Sequence, residues 1–142
     1  MSYSEARTAI NQMVFDLIQS QSLENSTQWE NTEFDPAGKA LWASVEMVND
    51  VPNMVTLGEG GYDRMVGYAM ITYAARSDSG TKAVDDRIAE ARVALYAGKS
   101  FTEGGTKVII TEVGPGPRST VDSWYLCPLN IFYRTDLVRP SL

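Results

Sequence analysis

A few groups of residues in this sequence have the types from which a reaction centre is built. Gly58-Glu59-Gly60-Gly61 is glycine-rich enough to cradle a phosphate. A phosphate loop, however, needs a lysine at fixed spacing and a following helix whose N-terminal amides meet the anion. Neither follows, so the glycines read as a turn. Asp85, Asp86 and Glu90 offer carboxylate oxygens of the kind a hard cation prefers. At the start of a helix they read instead as negative charges that the helix dipole favours. Asp16 and Glu46 stand alone. Trp29, Trp42 and Trp124, with seven tyrosines, have the rings for a stacking platform, but no basic residues lie between them. Such rings belong to a core or to a protein interface. Cys127 is the single cysteine and there is no histidine. Nucleophile pairs built on imidazole are therefore absent, as are zinc sites of histidines or paired thiolates. Cys127 reads as a small buried apolar residue. The sequence predicts no enzyme, no catalytic residue, no cofactor and no metal.

What must then be explained is a scaffold and its surfaces. A chain of 142 residues, 44% hydrophobic and 21% charged, predicts one domain, residues 1–142, around one core. No run of about 18 apolar residues exists to cross a bilayer. The start, Met1-Ser2-Tyr3-Ser4-Glu5, has neither a basic flank nor an apolar run behind it, so the expectation is a protein made and folded in a cytoplasm. Acidic residues outnumber basic ones 18 to 12, for a net charge of -6. Arg76, Lys82, Arg87, Arg92 and Lys99 are dispersed among acids, which excludes the positive stripe that grips DNA through its phosphates.

Apolar periodicity supplies the elements. Ala6, Ile10, Met13, Val14, Leu17 and Ile18 share one face of a helix over residues 4–19, with Ser2 and Glu5 spaced as a capping box. Residues 21–39 read as loop with one short extended piece near Trp29 and Phe34. A strand over residues 40–48 alternates Leu41, Ala43, Val45 and Met47 against Trp42, Ser44 and Glu46. Residues 49–63 form a long glycine-bearing hairpin loop whose Met54, Val55 and Leu57 suit a partner surface. The next strand, residues 64–75, is apolar on both faces, which predicts a central strand covered on both sides. A helix over residues 82–97 presents Val84, Ile88, Ala91 and Leu95, and Gly98 with Lys99 ends it. Two strands close the chain, residues 106–113 and 123–136, separated by a rigid Gly114-Pro115-Gly116-Pro117 turn and a polar segment, residues 118–122. Pro128 predicts a bulge or an edge position for the last strand. The terminal apolar residues Leu137, Val138 and Leu142 either dock on a neighbour or fray. The order α-β-β-α-β-β predicts an α+β fold, a four-stranded, mostly antiparallel sheet with both helices packed on one face.

This order, with Leu41-Trp42-Ala43-Ser44-Val45 opening the hairpin, Tyr73-Ala74-Ala75 closing the apolar strand, a helix from Thr81-Lys82-Ala83, and a final Trp124-Tyr125-Leu126-Cys127-Pro128-Leu129, resembles the tail-terminator proteins of long-tailed, lambda-like bacteriophages. The resemblance implies a structural virion protein of the tail and neck. It would form a homohexameric ring at the head-proximal end of the tail, stop tail-tube polymerisation, and present the docking surface for the head-tail connector. Implied partners are copies of itself, the tube protein and the connector, with DNA passing through the ring without specific binding and no membrane involved. A subunit of a cyclic ring needs two distinct sticky patches. Met54, Val55, Leu57 and Gly58 in the loop, and Leu137, Val138 and Leu142 in the tail, are the candidates. Two other readings remain open on the sequence. One is a head-closure or head-to-tail adaptor ring of the neck. The other is a small cytoplasmic ligand-binding α/β domain, which predicts an enclosed apolar pocket.

Overall fold

Two long runs rich in β-branched and aromatic residues form the middle of the molecule, and the rest of the chain is built outward from them. The computed structural model describes residues 3–30, 32–49, 53–54, 61–103 and 105–138. Along the chain come α1 (Tyr3–Ser20), β1 (Thr27–Gln28), β2 (Leu41–Asn49), β3 (Asn53–Met54), β4 (Tyr62–Arg76), α2 (Lys82–Ala94), β5 (Ser100–Glu103), β6 (Thr106–Pro115), β7 (Ser119–Val121) and β8 (Trp124–Val138). β4 and β8, each 15 residues long, pair antiparallel over their whole length. β2 flanks β4 and β6 flanks β8, and the sheet reads β1-β2-β4-β8-β6-β5 across, with β3 beside β4 and β7 beside β8. All contacts are antiparallel except that of β1 with β2.

The expected four strands are thus the inner four of a wider sheet. The additional strands are two to four residues long, too short for an alternating pattern to register. The short extended piece near Trp29 is Thr27–Gln28, and the segment at residues 118–122 contains β7.

One face of the sheet is the core. Ala43 and Val45 on β2, Met65, Ala69, Ile71 and Tyr73 on β4, and Cys127, Leu129, Ile131 and Tyr133 on β8 are buried in alternation. They form one cluster with Ala6, Ile10, Met13, Val14, Leu17 and Ile18 of α1 and with Val84, Ile88 and Ala91 of α2. Both helices therefore lie on this face, as their apolar stripes predict. α2 stops at Ala94, earlier than expected, because Leu95 turns extended and is itself buried. Gly98, at φ +97°, then donates its amide to the Ile110 carbonyl, and Lys99 Nζ caps the helix end through the Ala94 carbonyl at 2.8 Å. The capping box expected at Ser2 lies outside the described residues.

Two sequence expectations about β6 and β8 are corrected. Gly114 and Pro115 continue β6 instead of turning, since both remain paired with β8. Pro128 sits in regular register opposite Thr72, on a central strand without a bulge. Its carbonyl accepts from Gly116 on the β6 side, at 2.9 Å. The ring nitrogen faces the same side, so the bond that the proline withholds is the return bond to Gly116, just past the last β6–β8 pair, and the pairing with β4 is untouched. The bulge in this part of the sheet is in β6, between Ile110 and Glu112.

A buried polar junction ties the two helices to the sheet. The Tyr73 hydroxyl donates to Gln21 Oε1 at 2.8 Å, and Gln21 Nε2 donates to the Arg87 carbonyl at 2.9 Å. Burial pushes the Tyr73 phenol above its ordinary pKa, so it stays a donor. Tyr73→Phe leaves the Gln21 carbonyl buried without its donor. It should lower stability by about 1–2 kcal/mol in denaturant unfolding, with an unchanged m-value.

Candidate assembly surface

The residues first weighed for chemistry are separated or neutralised by the fold. Asp86 pairs with Lys82 at 3.2 Å and Glu90 with Arg87 at 3.0 Å, each on the surface of α2. Asp85 takes Arg118, which also donates to the Tyr125 hydroxyl at 3.1 Å. Hydrogen bonds from Arg118 and then from Thr81 hold the Asp85 carboxyl below its ordinary pKa. Each acid thus has its own cation, and among the described residues no cluster of metal-ligating side chains occurs. Asp16 accepts from Gln12 at 2.8 Å. Cys127 lies in the core, where burial pushes its thiol pKa up. Of Gly58-Glu59-Gly60-Gly61, only Gly61 is among the described residues.

The molecule exposes apolar surface instead. The sheet face opposite the helices carries the second apolar set of β4, which the sequence predicted to be covered, beside aromatic and apolar residues of β8. It is not roofed by helices. At one end Trp42 meets Trp124 edge-on at 5.6 Å, Phe34 lies 5.5 Å from Trp42, and the Arg76 guanidinium sits 4.2 Å above Trp124. Ala74 is fully buried beneath this group. Toward the other end Tyr68 and Phe132 pack at 5.3 Å. With Val48, Val66 and Thr111 they line an open cavity of about 350 Å³. Val48 and Val66 are 42% and 40% exposed. The Nε1 of Trp42 and the Oδ1 of Asn130 on this face are shielded from solvent without a hydrogen-bond partner.

Two further open grooves run along the margins of the sheet. One lies between α1 and β2, with Arg7, Gln12 and Phe15 on the helix side and Val45 and Met47 on the strand side. Arg7 bridges to Glu30 at 2.9 Å, and Phe15 packs on Trp29 at 5.9 Å. The other lies between the end of α2 and β6, lined by Arg92, Tyr96, Glu112 and Val113.

Of the residues expected to mediate assembly, Met54, Leu137 and Val138 have described backbones. Met54 pairs with Asp63, and Asp63 with Leu137, while Val138 pairs with Tyr62. The hairpin loop and the C-terminal strand therefore leave the sheet at the same end, one on each side of β4. Val55, Leu57, Gly58 and Leu142 lie outside the described residues. Missing from the sequence expectations were Val48, Val66, Tyr68 and Phe132. Their signal was present in the two-sided apolarity of β4, but it was read as burial.

The fold is an α+β domain with paired acids, open grooves and a bare apolar sheet face. Comparison with known proteins gives that class its identity. The sequence profile described as phage tail terminator protein matches residues 8–133, and the chain belongs to that family. It is a structural protein of the bacteriophage virion tail, in a family whose members contact tail and head proteins. A solved structure of 17% identity superposes with a TM-score of 0.78, covering 96% of this chain and 97% of the other, and shows the same fold. Among curated proteins no sequence matches. Among the described residues no helix is long and apolar enough to cross a membrane.

Two measurements check the site. Because the Asp85 carboxyl is held below its ordinary pKa, its pairing adds stability above the unfolded value and loses it as the pH falls through the folded one. Asp85→Asn should therefore melt below the wild type at neutral pH, and the difference should begin to shrink as the pH falls to about 4 and close only below the lowered pKa of the folded state. Cys127 should resist thiol reagents in the native protein at about pH 8 and react fully on unfolding.

Proposed function

We propose that this protein closes into a hexameric ring at the head-proximal end of the phage tail. There it stops tail-tube polymerisation and offers the surface on which the head connector docks. The family match across residues 8–133 carries this reading. The exposed chemistry supports it, since apolar faces and grooves do work by contact and not by reaction. In this reading the protein is no enzyme, and it resides in the host cytoplasm until it joins the tail.

The loop with Met54, Val55, Leu57 and Gly58 and the tail with Leu137, Val138 and Leu142 serve as an end-on docking surface. The register that sets Met54 and Leu137 on either side of Asp63 supports this, because it brings both segments to one end of each subunit. DNA passes through the ring unheld, consistent with the net charge of -6 and the absence of a basic stripe.

A phage with a stop codon early in this gene tests the proposal by electron microscopy of the lysate. Overlong tails beside unattached filled heads are expected. Tails of normal length with heads that leak DNA would place the protein in a neck adaptor ring instead. Intact infectious particles would sink the structural role.

A further inference from the structure

We propose that neighbouring copies join edge to edge, the free margin of β2 (residues 45–49) pairing antiparallel with the free margin of β6 (residues 111–115) of the next copy. This inference rests on the ring proposed above and specifies its lateral contact.

Among the described residues neither margin has a partner strand. β1 covers β2 only at Ala43 and Ser44, and β5 covers β6 only at residues 106–109. The Ala43 amide donates outward to the Ser26 carbonyl at 2.9 Å. By the alternation of an antiparallel strand, Val45, Met47 and Asn49 also turn their amides and carbonyls outward. Among the described residues no backbone hydrogen bond from another segment reaches Val45 or Met47. On β6, Ile110 is turned outward and is bonded to Gly98 and Lys99. Beyond the bulge Val113 takes the same orientation, its side chain against the core. Nothing in the described chain covers it.

The margins also match in height, direction and chemistry. Val48, Tyr68, Phe132 and Glu112 form one cross-strand row, and Met47, Ala69, Ile131 and Val113 form the next. The two free stretches thus stand at the same level on opposite sides of the sheet. Four strands of alternating direction separate them inclusively, so β2 of one copy meets β6 of the next in antiparallel sense. The core-side row ends in a half-buried apolar residue at each margin, Met47 and Val113, where a solitary edge would carry a charge. Edge pairing makes that row continuous from copy to copy. The flanking grooves agree: Tyr96, 56% exposed, and Arg92 line the one on the β6 side, and Phe15, 38% exposed, lines the one on the β2 side. The contact is heterologous, each copy using both margins, as closure into a ring requires.

Matched height pairs Val48 with Glu112 at a non-hydrogen-bonded position, where Cα atoms approach to about 4.5 Å and a disulfide fits. Virions carrying Val48→Cys with Glu112→Cys should give, after oxidation, a covalent ladder on a denaturing non-reducing gel. Its top rung should equal the ring size, and either single variant should give none. Pairs shifted by two residues, Val48→Cys with Gly114→Cys and Glu46→Cys with Glu112→Cys, cover a slipped register. Particles that contain the protein but cross-link in none of the three pairs overturn edge pairing and leave the ring reading standing. Particles lacking the protein overturn both. Independently, Met47→Pro removes an outward amide and trims a half-buried side chain, a loss that Met47→Thr shares. It should match Met47→Thr in circular dichroism and melting point, yet reduce complementation of the stop-codon phage at least tenfold, whereas Met47→Thr should complement. Full complementation by Met47→Pro would also overturn the proposal.

Discussion

The β4–β8 ladder is the constraint from which the rest of the molecule follows. Fifteen residues of each strand stay in one uninterrupted register from Tyr62 opposite Val138 to Arg76 opposite Trp124. Side-chain alternation along such a ladder cannot drift, so odd-numbered positions between residues 65 and 75 and between 125 and 135 face the helices and even ones face away. The helix side has the volume for Ile71, Tyr73, Leu129 and Tyr133, and α1 and α2 lie over it. Pro128 is tolerated in the middle of the ladder because its missing donor points away from β4, to the end of the β6 pairing, where only the return bond to Gly116 is given up. A slip by one residue would turn Tyr73 away from Gln21 and carry Trp124 into the core.

The same ladder explains which parts of the fold were legible in the sequence. The helical stripes and the core set of β4 and β8 follow from periodicity alone, because long elements repeat their pattern several times. β3, β5 and β7 did not register, and β1 only as a short extended piece, since two to four residues hold no period and their pairing is fixed by where the longer strands already stand. The end of α2 was misplaced for a related reason. Gly98 signals a left-handed residue, but the helix had already stopped at Ala94 so that Leu95 could enter the core in extended form. Of the site, the two-sided apolarity of β4 was visible as Val66, Tyr68 and Met70. Its meaning was not. A strand buried on both faces within its own chain and a strand buried on one face by its neighbours have the same sequence pattern.

That ambiguity bears on how a structural virion protein differs from a ligand-binding domain of similar size. A domain that folds around a ligand spends its surplus apolar residues on an enclosed pocket. Here they are spread over the helix-free face and the two margins, as shallow, open features. The polar groups say the same. Asp85, Asp86 and Glu90 are each held by a cation of the same chain, which removes them from chemistry while keeping the surface charged.

Surplus apolar surface is tolerable in a free subunit only if non-specific sticking is limited. The chain holds a net charge of -6, which makes like copies repel at a distance and leaves short-range complementarity to decide contact. The β6 margin adds local restraint. The bulge beside Thr111 and the proline at 115 leave a short stretch able to pair, and Pro115 brings a carbonyl without a donor. A margin of this kind cannot template an open-ended sheet with any strand it meets. It suits a short partner of matching height, which in the proposed ring is the β2 margin of another copy. Weak single contacts become stable when closure lets every copy make two of them at once, so edge pairing of this kind would favour a closed ring over a pair.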